Sequence, residues 1–117
     1  MFRRFRKHEH IALDSLEIGV SGERHYGENI RELLREHGGS SLEYKCTATI
    51  RREVDNHVDE HAIEVVVHGR RVGYISKRSS AVVAKRIDQR SVELECVVSW
   101  NGETSNGIYH VKLFPVF

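Results

Sequence analysis

The sequence is poor in the features that mark several large protein classes. It has 117 residues and contains only two cysteines, one methionine and one tryptophan. Cys46 and Cys96 lie far apart and form no CxxC pair, so we do not expect a structural zinc site built on thiolates. No long apolar run follows the basic N-terminus, so we expect neither a secretory signal nor a membrane span, and we expect a cytoplasmic location.

An excess of charge of one sign is also missing. The chain has 18 Lys plus Arg against 17 Asp plus Glu. Net charge therefore provides no general attraction to nucleic acid, and any such affinity must come from local arrangement. The densest local positive charge outside the N-terminus clusters at predicted strand ends, and it consists of Arg51, Arg52, Arg70, Arg71, Lys77 and Arg78.

Catalytic signatures are absent as well. The sequence contains no nucleophile elbow and no glycine-rich phosphate loop, and it has no second cluster of carboxylates of the kind that metal-dependent nucleases need. We therefore predict a protein without enzymatic activity and without a cofactor.

What the sequence does contain is strict alternation of apolar and polar residues, which predicts half-buried β-strands. The predicted strands are residues 16–20, 42–50, 62–67, 70–75, 92–100 and 108–114. His68-Gly69 predicts a two-residue hairpin turn, because both residues accept positive φ. Cys46 and Cys96 fall on apolar strand faces, so we expect buried reduced thiols, with a disulfide between paired strands as the alternative.

Helical spacing appears in two places. Residues 26–37 carry apolar side chains every three or four positions, and Gly38-Gly39 ends this helix. A second helix is capped by Ser76 or Ser79 and runs to about residue 88, with Val82 and Val83 facing inward. Six short strands with two helices predict a mainly β fold, a small, partly open OB-like barrel flanked by two short α-helices.

Residues 1–12 are predicted to form a basic arm ahead of a single domain, residues 13–117. The arm carries Phe2 and Phe5 among its basic side chains. It is either a solvated terminus or a segment that grips phosphate and stacks bases on its aromatic rings.

The loop of residues 53–61 is dense in Asp, Asn and His and leads directly into a hydrophobic strand. Loops that concentrate polar side chains on a rigid β scaffold often carry binding sites. Asn56 and Asp59 are equally suited to organising the turn through their own backbone. His57-x-Asp59-x-His61 is a third, weaker pattern, that of three metal ligands, since alternate residues of a strand share a face.

Several fragments together resemble the HIRAN domain, and they span roughly residues 16–100. The fragments are Gly22-Glu23-Arg24-His25-Tyr26, Asp55-Asn56-x-x-Asp59-x-x-Ala62-Ile63-x-Val65, Gly69 and Val72-Gly73-Tyr74-Ile75. The resemblance, closest in type to small stand-alone bacterial HIRAN proteins, implies an OB-like barrel with two helices. It also implies a non-catalytic module that binds single-stranded DNA or DNA 3′ ends.

The resemblance further implies a set of DNA-binding residues, which are Arg24, His25, Asn56, Asp59, Tyr74, Lys77 and Trp100. Arg24 and His25 would contact the terminal nucleotides, and Asn56 and Asp59 would hydrogen-bond the last one. By the same resemblance Asp59 would accept from a free 3′-hydroxyl, which fits the rule that a carboxylate near DNA is useful only where it meets a donor. Tyr74 and Lys77 would contact phosphate, and Trp100 would stack a base.

The chain differs from the family pattern at the tip of the loop. It has Val58 where the family usually carries an aromatic residue and His57 where a proline is usual. His25 stands where the family commonly has a Tyr, and Tyr74 stands where the family can have a His. The alternative function is a protein-interaction module on the same fold. A larger helicase or nuclease partner is compatible with either function.

Overall fold

Six antiparallel strands follow one another around a single curved sheet in the part of the chain that the structure, a computed structural model, describes: residues 18–53 and 55–114. The strands are β1 (Val20–Ser21), β2 (Glu43–Arg52), β3 (Ile63–Val67), β4 (Arg70–Ile75), β5 (Val92–Trp100) and β6 (Tyr109–Phe114). There are two helices, α1 (Gly27–His37) and α2 (Lys77–Ile87), and a 3₁₀ turn at Glu23–Tyr26 leads directly into α1. The predicted arm, residues 1–12, and its boundary with the domain lie outside the described residues.

The sheet nearly closes on itself. Its strand order is β1-β4-β3-β2-β5-β6, and the two outer strands, β1 and β6, approach each other. Across this seam the backbone N–H of Val111 donates to Glu23 Oε2 over 3.3 Å. The protein is therefore a mainly β, nearly closed OB-like barrel with two helices, which confirms the predicted fold class.

The interior of the barrel is filled by the alternating apolar residues of the strands and by one stripe of each helix. Residues from α1, β2 and β5 that are fully or almost fully buried include Ile30, Leu33, Ala48, Ile50, Val92, Leu94 and Val98. All five residues of β3 are buried, so this strand is covered on both faces. The continuous core explains why short strands suffice to hold the barrel together.

The hairpin between β3 and β4 turns at the predicted pair. His68 has φ of 49° and Gly69 has φ of 79°, and the two strands pair from Val67 and Arg70 onward. Positive φ at both central residues matches the right-handed twist of the flanking strands. The hairpin prediction is confirmed.

Four details of the sequence-based prediction are wrong. Among the described residues the first strand is Val20–Ser21, and Ile18 and Gly19 belong to no strand although the Gly19 carbonyl accepts from Ser76 N over 2.8 Å; Leu16 and residue 17 lie outside the described residues. The first helix is preceded by a separate 3₁₀ turn. Val82 is 45 % exposed rather than inward, because Ser80, Val83, Ala84 and Ile87 form the buried stripe of α2. Leu42 is also 45 % exposed, since the ladder of β2 begins one residue later.

Both cysteines are free thiols, as predicted; Cys96 is buried and Cys46 is partly buried. Among the described residues no helix is long and apolar enough to cross a membrane.

Candidate functional site

The first of two surface clefts, which we call the turn cleft, lies between the 3₁₀ turn and the loop that joins β5 to β6. It has a volume of about 790 Å³, and its lining residues include Arg24, His25, Arg31, Asn106 and Tyr109. Arg24 and His25 are exposed, and neither side chain has a hydrogen-bond or ion-pair partner within residues 18–53 and 55–114. Both side chains are therefore available to a ligand in this cleft.

Tyr109 forms the rigid wall of the turn cleft. Its ring stacks on that of Trp100, with centroids 6.0 Å apart and planes inclined by only 3°. The Arg31 guanidinium lies 5.9 Å from the Tyr109 centroid and donates to the tyrosine hydroxyl. A Cβ at either Gly27 or Gly107 would come within 2.8 Å of the ring, so both positions need glycine for this close approach. The result is an Arg–Tyr–Trp stack at the end of β5.

Trp100 itself is held from the other side. Its Nε1 donates to the carbonyl oxygen of Glu103 over 2.8 Å, and its backbone N–H donates to the Leu42 carbonyl over 3.1 Å. The indole is partly exposed, although it packs against the core. An aromatic ring that is fixed at its edge and open on part of its surface suits base stacking.

The second cleft, which we call the loop cleft, lies beside the polar loop that precedes β3. It has a volume of about 660 Å³. Its lining residues are Arg51, Arg52, Glu53, Asp55, Asn56, His57, Val58, Glu64 and Arg71. Val58 is 94 % exposed at the tip of the loop, in the position where the family pattern carries an aromatic ring.

Asn56 and Asp59 shape the polar loop through hydrogen bonds to its backbone. Asn56 Oδ1 accepts from the N–H of Val58 over 2.9 Å and from that of Asp59 over 2.8 Å. Asp59 Oδ1 accepts from the His61 N–H over 2.9 Å. The turn-organising interpretation of both residues is therefore confirmed. Asp59 Oδ2 has no hydrogen-bond partner in the described parts of the chain, which leaves it available as an acceptor.

A buried carboxylate anchors the arginines of the loop cleft. Glu64 is only 7 % exposed, and it accepts from Arg51 and, over 2.6 Å, from Arg71 Nη2. Burial alone raises the pKa of Glu64, but the hydrogen bonds and charges of Arg51 and Arg71 outweigh it and hold the pKa below its usual value. Glu64 is therefore ionised at neutral pH, and it fixes both guanidinium groups in place.

Tyr74 extends this network toward the 3₁₀ turn. Its hydroxyl donates to the Glu53 carboxylate at 2.9 Å from either oxygen, and the Arg71 guanidinium lies 5.2 Å from its ring centroid. Burial and then the hydrogen bond to Glu53 raise the pKa of Tyr74 above its ordinary value. The ring of Tyr26, the residue after His25, lies 6.4 Å from that of Tyr74. Tyr74 is thus a neutral hydrogen-bond donor to Glu53 whose ring lies near Tyr26 of the 3₁₀ turn.

The structure therefore brings the predicted residues together in two groups. Arg24 and His25 line the turn cleft, whose Tyr109 wall stacks on Trp100. Asn56 lines the loop cleft, while Asp59 and Tyr74 lie next to it through hydrogen bonds to lining residues: the Asp59 N–H donates to Asn56, and Tyr74 donates to Glu53. Lys77 is the exposed first residue of α2, and no contact between described residues ties its side chain to either group.

Much of the positive charge that the sequence places at the strand ends is already paired. Arg51 and Arg71 contact Glu64, while Arg70 makes a bidentate pair with Glu36 at 2.7 and 3.0 Å. Arg52 donates to the Glu60 carbonyl. The local positive charge at these strand ends is therefore partly neutralised, because carboxylates from other elements lie beside Arg51, Arg70 and Arg71.

Sequence reasoning missed the residues that hold the site in shape. Glu64 left a signal, because a single acidic residue within an otherwise apolar strand is rarely buried without a cationic partner. Tyr109 and Arg31 left none, since 78 positions separate them and only the closed barrel brings them together.

No group of three or more His, Cys, Asp or Glu side chains in the described residues has the arrangement of a metal site. This includes His57, Asp59 and His61, of which Asp59 bonds to the backbone of His61.

Comparison with protein families gives one match. The HIRAN domain family model covers residues 15–111, which is most of the chain and includes both clefts. The chain belongs to the HIRAN domain family. No curated protein and no solved structure matches it. HIRAN domains in general are nucleic-acid-binding modules that take single-stranded DNA with a 3′ end.

Proposed function

We propose that this HIRAN domain binds single-stranded DNA or frayed duplex ends without catalysis, using the turn cleft and the loop cleft as one continuous site. The observation that carries the proposal is the pair Arg24 and His25, exposed on the 3₁₀ turn without a partner among the described residues. They lie beside a stacked Tyr109–Trp100 platform. Cations for phosphate and aromatic faces for bases are what a single-strand site needs.

The two clefts have different roles in the proposed site. In the turn cleft, Arg24 neutralises a phosphate while the Trp100 and Tyr109 rings offer a stacking surface. Glu23 and Glu28 also line this cleft. Their negative charge repels phosphate from that part of the cleft, so we propose that the sugar–phosphate backbone of the DNA lies on the side of Arg24 and Arg31.

A 3′-hydroxyl is the feature of the DNA that the loop cleft favours. Asp59 Oδ2 is an acceptor without a partner in the described residues, and Asn56 fixes its position by holding the Asp59 backbone. A hydroxyl donates to a carboxylate, whereas a 3′-phosphate brings negative charge against it. Lys77 would contact a phosphate from the start of α2, where the free backbone amides of the helix also favour an anion. The partner class is thus a DNA end, together with a larger helicase or nuclease that acts on it.

A protein-interaction module is the second candidate, and one observation favours it. Arg51, Arg70 and Arg71 are paired with carboxylates, which lowers the positive potential that DNA would meet. This alternative predicts no salt-dependent affinity for oligonucleotides.

Fluorescence anisotropy with short labelled single strands separates the two candidates. We expect binding that weakens with salt, with a slope that falls by about 0.7 on Arg24→Ala, the contribution of one phosphate contact in single-stranded DNA. Lys85→Ala is the matched control, because it removes one exposed positive charge from α2 away from both clefts. No binding at low salt would remove the nucleic-acid proposal altogether.

The same titration tests the preference for a 3′ end. Wild-type protein should prefer a 3′-hydroxyl strand over a 3′-phosphate strand by about tenfold, a free-energy difference of about 1.4 kcal/mol. Asp59→Asn should lose this preference, because the amide no longer repels the phosphate. Equal affinity of wild-type protein for both strands would leave single-strand binding intact and remove the 3′-end preference.

A further inference from the structure

Cys46 on β2 and Cys96 on β5 lie directly opposite each other in neighbouring antiparallel strands. Trp100 N donates to Leu42 O, so Leu42 and Trp100, which lie opposite each other just beyond the ladder, form a hydrogen-bonded pair. In an antiparallel ladder such pairs recur at every second position. Cys46 and Cys96 therefore form a hydrogen-bonded pair as well. Their Cα atoms are about 5.5 Å apart on this geometry, which lies inside the range of disulfides.

Both thiols point to the inside of the barrel. Cys46 lies two residues before inward-facing Ala48, and Cys96 lies two residues before inward-facing Val98, so each shares the inward face of its strand. Cβ atoms of a hydrogen-bonded pair are spaced somewhat wider than a relaxed disulfide allows, so joining the sulfurs needs a shift of about 1 Å. A bond formed here is strained, and strained disulfides are the readily reduced ones.

The two thiols are not equivalent. Cys46 is partly exposed, whereas Cys96 is buried. The hydrogen bond from Cys96 lowers the pKa of Cys46, and the same hydrogen bond together with burial raises the pKa of Cys96. The thiolate is the attacking species, so an external disulfide meets Cys46 first.

We propose that Cys46 and Cys96 are a reversible thiol–disulfide pair that small-molecule disulfides such as oxidised glutathione convert to a cross-strand bond. The Cys46 thiolate attacks one sulfur of oxidised glutathione, and one glutathione leaves as its thiolate. The Cys96 sulfur then attacks the Cys46 sulfur of the mixed disulfide and displaces the second glutathione. The two protein thiols are oxidised, one molecule of oxidised glutathione is reduced, and the two thiol protons end on the two released glutathiones.

The bond would tie β2 to β5 on the face that leads to Trp100, four residues beyond Cys96. Oxidation therefore fixes the strand that carries the stacking platform against its neighbour. This modification does not depend on whether the clefts bind DNA, and its test involves no DNA.

The test uses the full, folded chain, incubated with oxidised glutathione and followed by intact mass. We expect the wild-type protein to lose two hydrogens and both titratable thiols without keeping an adduct, and dithiothreitol should restore both thiols. Cys96→Ala should stop at a single glutathione adduct, because the resolving thiol is missing. Cys46→Ala should stay unmodified for as long as circular dichroism reports a folded protein, because Cys96 is buried.

Four results would overturn the proposal: wild-type protein that keeps a glutathione adduct, that keeps both thiols free, that forms disulfide-linked dimers, or that reacts equally fast at Cys96 in the Cys46→Ala variant. Should Cys96→Ala fail to fold, the wild-type mass and the Cys46→Ala variant decide the matter alone.

Discussion

The Tyr74 hydroxyl lies 2.9 Å from both carboxylate oxygens of Glu53, and Arg71 Nη2 lies 2.8 Å from one of the same oxygens. Arg71 in turn contacts buried Glu64. The polar groups around the loop cleft are thus fixed by each other before any ligand arrives. A site that is ordered in advance loses less conformational entropy when it binds.

Tyr74→Phe removes a hydrogen bond to a charged acceptor. We expect the free energy of unfolding at neutral pH to fall by about 1.5–3 kcal/mol, measured by urea denaturation. The pKa of Tyr74 is raised in the folded state, so this contribution is complete below the ordinary tyrosine value of about 10 and is lost as the pH rises through the raised value. Tyr44→Phe is the control, because its hydroxyl meets only exposed His68. Equal losses for both variants would contradict the prediction.

Glu64→Gln removes the buried charge that pairs with Arg51 and Arg71. We expect a loss of about 1–3 kcal/mol at pH 7. The pKa of Glu64 is lowered in the folded state, so its contribution is present above the unfolded value of about 4.3 and is lost as the pH falls through the lower folded value. Urea denaturation from about pH 7 down to about pH 3 should show the difference between wild type and variant shrinking.

The matched control for Glu64→Gln is Glu36→Gln. Glu36 also makes a bidentate pair with an arginine, Arg70, but it is exposed on α1. Its loss should therefore change stability much less, since surface ion pairs are screened by solvent. A difference for Glu64→Gln that stays constant with pH would refute the assignment of a paired, ionised Glu64.

Asn56→Ala removes the acceptor that holds two backbone amides of the polar loop. We expect hydrogen–deuterium exchange at the Val58 and Asp59 amides to accelerate, by about tenfold for a lost stabilisation of about 1.4 kcal/mol. Asn56→Asp keeps the Oδ1 acceptor and should retain most of the protection. His57→Ala is the control, because its side chain is exposed. Unchanged exchange in Asn56→Ala would mean that other contacts hold the loop.

Gly27→Ala tests whether the Tyr109 ring depends on its close approach to the backbone of Gly27. The new Cβ would lie 2.8 Å from two ring carbons, so the ring must move from Trp100, although alanine is the better helix former by about 1 kcal/mol. We expect the emission of Trp100, the only tryptophan, to shift to the red and affinity for single strands to fall. Glu28→Ala, the next residue on α1, should leave the emission unchanged, and an unchanged spectrum in Gly27→Ala would contradict the stacking.

The secondary structure was largely predictable because it depends on neighbours in sequence. Alternation along β2 and β5 and positive φ at His68-Gly69 are local properties, and the barrel follows from joining such strands through short turns. Val82 was misplaced because two inward-facing stripes fit the short α2 almost equally well. Only packing against the barrel selects the one that includes Ser80 and Ala84.

The candidate site was predictable only in part. Arg24 and Asn56 belong to short motifs, so the family resemblance located them. The partners of the arginines were not predictable, because Glu64 meets Arg51 across a strand pair and Tyr109 meets Arg31 across the whole barrel. Such contacts depend on strand order and register, and no local pattern encodes them.

The Glu23 carboxylate at the seam of the barrel bears on whether a second chain can pair with the edge of the sheet. β6 ends the sheet, and the exposed N–H and C=O groups of an edge strand form a template for strand addition by a second chain. Glu23 Oε2 occupies the Val111 N–H at this edge and adds a negative charge to it. An incoming strand must displace the Glu23 side chain before it can pair with β6. We therefore expect the 3₁₀ turn that carries Arg24 also to oppose edge-to-edge aggregation.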